Sequence, residues 1–413
     1  MHRFAGIRKS FGAYLMFLGA LFPVLTFAAF FGYHPARSQH TLSLPLDMKS
    51  ATDSSRDSVS ILVFSTLGRS VTDRWATQDS LIRAEGIRNY STVSLRALYG
   101  DSGPGMTPIE LRILTKTTGL YRHPTNGEKE ALLEVVGMVY RGVGSPEAEF
   151  KAQALAQGAG YELARLTVPG GLTYFVLQPK GFAVGDFTAN PGFGIFVFNP
   201  AGDKDIILEA PHPRSDLRST DLALVALERI PAFALLIAGA DRRANLSPGN
   251  GVTKTEHVDE FNGDISDVSF ADNTGSLFHQ THVLLTSLIV KDKREPFVYQ
   301  FHGFSERDDG NAWPDIVLSN GVLTQEGEPL ELTFLKKELL LRGHSASVYT
   351  TRNPLLRELS ATHNPQGIQT RIWGTFIHIE TGYQCRAKAS LEDTAYSLAE
   401  GLRLMKINRA ANK

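Results

Sequence analysis

From Tyr161 onward the sequence alternates short apolar runs, punctuated by Gly, Pro and Asn, with longer amphipathic stretches. This alternation constrains the fold most, because strands that take turns with helices are joined by crossovers and tend to lie parallel in a sheet covered on both faces. Leu163 to Val168 and Thr173 to Leu177 flank Pro169-Gly-Gly and are expected as a hairpin. Gly194 to Phe198 and Asp205 to Ala210, around Asn199-Pro-Ala-Gly, are expected as a second. A helix capped by Ser219 or Thr220 then runs through Leu222, Val225, Ala226 and Ile230. It leads into Phe233-Ala-Leu-Leu-Ile-Ala-Gly, apolar throughout as in a strand buried on both faces. Strand, helix, strand predicts a parallel pair. The pattern continues with a helix from Ser276 to Val290, strands at Phe297 to Phe301 and Asp315 to Leu318, and a helix from Leu330 to Leu341. Strands at Ser347 to Thr350 and Ile372 to Ile379 follow, then a closing helix from Ser390 and Asp393 through Leu404. The expected class is α/β, with a mostly parallel or mixed central sheet flanked by helices.

The chain before Tyr161 reads differently. His2, Arg3, Arg8 and Lys9 precede an uncharged run from Phe11 to Tyr33. At about 1.5 Å per residue this run is long enough for a hydrocarbon core of about 30 Å, and the basic residues ahead of it place the bulk of the chain outside the cytoplasm. Thr26-Phe27-Ala28 offers a small-residue cleavage site, so residues 1–33 are read as either a signal peptide or a membrane anchor. Residues 34–57, rich in Ser, Asp, Pro and Thr, are a linker, and 58–160 a smaller, mainly helical accessory region in which Pro146 to Leu155 is the clearest helix. Residues 161–413 form the α/β domain. The expected location is exported, periplasmic or anchored to the inner membrane facing outward. Lys and Arg number 42 against 43 Asp and Glu, with no basic cluster, which argues against nucleic acid as a partner. Cys385 is the single cysteine, so any metal would need His and carboxylate ligands.

Ligands of open α/β sheets bind beyond the carboxyl ends of the strands. The runs here deliver Glu209 and His212, then Asp241, Arg242 and Arg243, then His302, then Glu380 to those ends. Two His and a carboxylate can hold a zinc ion with one position open, a further carboxylate can act as general base, and an Arg can bind substrate charge or an oxyanion. Glu209, His212 and His302 are the expected ligands, with Asp216 an alternative third ligand or a group orienting an imidazole. Glu380 is the expected base, and Arg242 or Arg243 the substrate or oxyanion group.

Glu209-Ala-Pro-His212-Pro with Asp216, Leu236-Ile-Ala-Gly-Ala-Asp-Arg-Arg, Gln300-Phe-His302-Gly-Phe, Ala361-Thr-His-Asn-Pro-Gln-Gly and Phe376-Ile-His-Ile-Glu380 with Arg386 resemble a bacterial branch of the zinc carboxypeptidase-like superfamily. That superfamily includes metallocarboxypeptidases, succinylglutamate desuccinylase-type deacylases and poly-γ-glutamate hydrolases. The resemblance covers residues 161–404. It implies a phosphorylase/hydrolase-like sheet, a Zn2+-dependent amide or peptide hydrolase, a peptide or acyl-amino-acid substrate, His302 as late ligand and Glu380 as late catalytic Glu. Arg386 and Asp272 are expected on the substrate side. The order Glu209, two residues, His212 departs from the usual His, two residues, Glu, which leaves the third ligand open between Glu209 and Asp216. A membrane-tethered binding or assembly protein that keeps the fold without catalysis is the alternative class.

Other motifs read as structural. Gly343-His-Ser345-Ala-Ser347 resembles a serine elbow but lies between a helix and a strand, the reverse of what an elbow needs. His279 and His282, three apart on the expected helix, could chelate a metal but read as ordinary helix-face residues, and Asp267, in the loop with Asp272 and Asn273, could border the cleft or bind a hard cation but reads as a turn or cap residue.

Overall fold

The computed structural model describes residues 121–167, 172–180, 192–244, 265–270, 273–305, 312–324, 326–387 and 390–411. Among them nine strands form one mixed sheet: β1 (Tyr161–Thr167), β2 (Thr173–Pro179), β3 (Ile195–Phe198), β4 (Asp203–Ala210), β5 (Ala232–Ile237), β6 (Phe297–Phe304), β7 (Ile316–Ser319), β8 (Ala346–Val348) and β9 (Thr375–Gly382). Their order is β1-β2-β3-β5-β4-β6-β9-β7-β8. The central four, β5, β4, β6 and β9, run parallel. An antiparallel β1-β2-β3 ribbon flanks β5, and β7 runs antiparallel to β9.

The first expected hairpin forms, as β1 against β2. The second does not, because β5 inserts between β3 and β4 and pairs with both. The Asn199–Gly202 turn is spent on the start of β5: Asn199 N–H donates to Phe233 O at 2.7 Å, and Asp203 N–H to Pro231 O at 2.5 Å. A strand buried at every residue, as β5 is, satisfies both of its edges this way.

Helices cover both faces. α3 (Ser219–Arg229), α5 (Leu330–Leu341) and α8 (Leu391–Ala411) pack Leu222, Leu335, Leu398 and their neighbours onto the face that carries Leu208, Tyr299, Phe301, Ile377 and Ile379. The opposite face carries Ile207, Val298 and Phe376, covered by α1 (Asn126–Arg141), α2 (Pro146–Gly158) and α4 (Leu277–Lys291). Thr125 and Glu128 close a reciprocal capping box on α1. The described part of the accessory region, 121–160, therefore shares its apolar core with the sheet, through Val136, Tyr140 and Ala156 among others. Two short helices, α6 (Pro365–Thr370) and α7 (Tyr383–Arg386), flank β9. No helix among the described residues is long and apolar enough to cross a membrane; the Phe11 to Tyr33 run and the 34–57 linker lie outside the described residues.

Candidate metal centre

The period-two alternation of a strand puts Glu209 of β4, Gln300 and His302 of β6, and His378 and Glu380 of β9 on one sheet face, the one beneath α4. Register aligns them: Glu209 opposes Gln300, Gln300 opposes His378, and His302 opposes Glu380. Parallel β4, β6 and β9 end at one edge, where His212 follows β4 by two residues and Asp216 by one further turn. The edge opens into a cleft of about 520 Å³ whose lining includes His212, Asp216, Arg242, His302, His378 and Glu380 together with Phe304, Trp313 and Arg357.

Asp216 is the hub. Its Oδ2 lies 3.2 Å from His212 Nδ1 and 3.1 Å from His302 Nδ1, and accepts from Gly303 N–H at 3.2 Å. Ligand atoms of His212, Asp216 and His302 all lie within 4.8 Å of one another, as do those of His302, His378 and Glu380, and all five residues are buried. The far ring nitrogens are held too. His212 Nε2 is 2.8 Å from Asp267 Oδ1 and 2.8 Å from Ser269 Oγ, and His302 Nε2 is 2.8 Å from Gln300 Oε1. Arg242 Nη1 approaches His212 Nδ1 at 3.5 Å and Asp216 Oδ1 at 3.9 Å.

Charge follows from this packing. Burial opposes the His212 cation, but the carboxylates of Asp267 and Asp216 outweigh it and push its pKa up to about 9. Burial likewise opposes the Asp216 anion, yet the charge of His212 and the hydrogen bond with it outweigh that and hold the carboxyl far below the usual range. Asp267, resisted by burial and favoured by His212, sits at about 2. Burial lowers His302 and, together with its imidazole neighbour, drives His378 well below the ordinary value. Burial and then the Asp216 charge raise Glu380 to about 8. Among the described residues, Glu380 Oε2 is buried without a hydrogen-bond partner.

His212, Asp216, His302, Glu380 and Arg242 thus meet at one place. Glu209 does not join them: its carboxylate receives Gln300 Nε2–H at 2.9 Å and faces His282 Nδ1 at 2.7 Å, fully buried beneath α4. Arg243 is exposed and does not line the cleft. Arg386, expected on the substrate side, is buried and donates to the carbonyls of Leu217 at 2.7 Å, Phe304 at 3.4 Å and Thr381, so it ties the strand ends to the loop after β4. Asp272 lies outside the described residues. His279 and His282, read as ordinary helix-face residues, are buried. Ser345 Oγ donates to Asp315 Oδ2 at 2.8 Å, away from the cleft lining. Sequence reasoning gave Gln300, His378 and Asn364 no role, although the alternation of polar with apolar residues in Gln300-Phe301-His302 and His378-Ile379-Glu380 marks a polar strip on one strand face.

No family model and no curated protein matches the sequence. Solved structures do. A bacteriophage poly-gamma-glutamate hydrolase is 17% identical, over 51% of this chain and 87% of its own, with a TM-score of 0.29. N-formylglutamate amidohydrolase from Ralstonia eutropha is 13% identical, over 51% of this chain and 96% of its own, with a TM-score of 0.29. Succinylglutamate desuccinylase from Chromobacterium violaceum is 14% identical, over 61% of this chain and 72% of its own, with a TM-score of 0.32.

Proposed function

We propose that this chain is a metal-dependent hydrolase of an amide or peptide bond, with His212, Asp216 and His302 holding a zinc-type ion. The observation that carries the reading is one carboxylate oxygen shared by two imidazole Nδ1 atoms, at 3.2 and 3.1 Å. Ligands at about 2.0–2.2 Å from a tetrahedral ion are separated by roughly 3.4 Å, so these contacts are near the edges of such a polyhedron. Two nitrogens and one oxygen suit zinc, and the outer partners Asp267 and Gln300 hold both rings from behind, as metal-binding imidazoles require. Glu380 Oε2 in the same cleft adds a buried acceptor that none of the described residues satisfies.

When bound, the ion supplies Lewis acidity at the scissile carbonyl and acidifies water. Glu380, once ionised, takes the proton of the attacking water and returns it to the leaving amine; burial and the Asp216 charge raise its pKa to about 8, which makes its carboxylate a stronger base than an exposed one. Arg242, half-buried at the cleft beside Asp216, binds the carboxylate of a peptide or acyl-amino-acid substrate. Export through the Phe11 to Tyr33 leader is part of the proposal and rests on that run and the basic residues before it; fractionation of cells and the mass of the mature chain test it. The site is tested by metal analysis of the wild type beside His302→Ala and Glu380→Gln. We expect stoichiometric zinc in the wild type, its loss in His302→Ala, and its retention in Glu380→Gln with turnover reduced by roughly 10²–10⁴-fold. Equal metal content in all three removes His302 from the ligand set.

A further inference from the structure

We propose that Gln300 is a positioning residue that fixes the proton of His302 on Nε2 and leaves Nδ1 open toward Asp216, with Glu209 and Asn364 holding Gln300 in the orientation that does so. Its metal-binding consequence rests on the reading above. The orientation of the Gln300 amide can be traced from a group whose polarity is not in question. Gly367 N–H, a backbone donor, meets Asn364 Oδ1 at 2.9 Å, which makes the other end of Asn364 its NH2. That NH2 donates to Gln300 Oε1 at 2.7 Å. On the far side, Gln300 Nε2 donates to Glu209 Oε2 at 2.9 Å. Both ends of the amide are thereby assigned, and the atom 2.8 Å from His302 Nε2 is an oxygen. An oxygen there accepts, so Nε2 must donate. A neutral imidazole has one proton; with it on Nε2, the Nδ1 lone pair faces Asp216 Oδ2 at 3.1 Å, and a cation placed between these two acceptors turns repulsion into coordination.

The chain of partners does not stop at Glu209. Glu209 Oε1 lies 2.7 Å from His282 Nδ1 on α4, and His282 Nε2 lies 3.2 Å from Thr370 Oγ1 on α6. Glu209, Gln300 and His282 have no solvent exposure, and Asn364 is also buried. Bulk solvent does not reach these groups to replace a missing partner, and loss of the Gln300 oxygen is felt at His302 directly.

The test reads the ring of His302 by 15N NMR in zinc-free and zinc-loaded protein, and zinc affinity by competition with a chelator. In the wild type the neutral ring is expected as the Nε2–H tautomer, with the zinc-induced shift on Nδ1. Gln300→Met removes the acceptor and is expected to give mixed tautomers and zinc binding roughly 10–100-fold weaker. Gln300→Glu sets two carboxylates face to face and is expected to weaken zinc binding. Adding Glu209→Gln restores every donor and acceptor with the polarity of one contact exchanged, so the double variant is expected close to wild-type affinity with the Nε2–H ring. A folded Gln300→Met protein with wild-type zinc affinity and an unchanged His302 spectrum overturns the proposal. So does an Nδ1–H tautomer in the wild type, a result available even where no variant folds. A wild-type Nε2–H ring in protein that takes up no zinc supports the tautomer assignment and overturns the metal reading instead.

Discussion

Asp216 Oδ2 meets two imidazoles and a backbone N–H at once. Its neighbourhood is built from residues that act at one remove: Asp267 behind His212, Gln300 behind His302. Away from this hub, His279 offers a cleaner titration. Burial, and then the charge of His282, lower its pKa from 6.5 to about 4, and its Nδ1 lies 3.2 Å from Gln366 Nε2. Above pH 6.5 neither state binds the proton; as pH falls below 6.5 the unfolded chain takes it up while the folded chain refuses it until about 4. Stability should fall across that window by up to about 1.4 kcal/mol per pH unit from this group. Urea unfolding at pH 7, 6 and 5 checks this: His279→Gln is expected to lose less stability than the wild type on acidification, whereas parallel pH slopes would count against it. The sequence could not show this environment. His279 and His282 have the spacing of an ordinary helix face, and only the sheet's polar strip beneath α4 buries them as partners.

At the level of elements, the rule that places ligands at strand ends pointed to His212, His302, Arg242 and Glu380, and these line one cleft because parallel strands bring their ends to one edge whatever their spacing in the chain. Glu209 shows where the rule stops. It sits inside β4, paired across to Gln300, and strand position alone does not tell a side chain that points under a helix from one that reaches the cleft. The second hairpin was misread for a similar reason: a turn such as Asn199-Pro-Ala-Gly reverses the chain without saying whether another strand slips in between. Arg386 was misread through its charge, since a guanidinium near a site looks like a substrate group until its donors are seen spent on three carbonyls. Gly303 makes room for that guanidinium, which a Cβ at the same place would strike. Arg386→Lys cannot serve three carbonyls from one point charge, so we expect a loss of about 1–3 kcal/mol. Thermal unfolding measures it, and an unchanged Tm would show that the strand ends hold without this tie.

For the molecule as a whole, the two helices of 121–160 share an apolar cluster with the sheet. Tyr140 OH donates to Asp292 at 2.9 Å and its ring packs edge-on against Phe233 of β5 at 5.3 Å. A chain beginning at Tyr161 would bare Phe196, Phe198, Phe233 and Leu285, which share that cluster. We expect it to aggregate or to lack a cooperative unfolding transition, which soluble yield and calorimetry will show; a well-folded truncated chain would mark 161–413 as autonomous. The span between Asp216 and His302, 86 residues apart, carries a last consequence. An ion gripped by both joins distant parts of the polypeptide as a reversible cross-link, in a protein whose single cysteine gives it no internal disulfide. Loading would then slow the escape from the native state as well as arm the cleft, and the holoprotein would owe its durability to an ion that a chelator can withdraw.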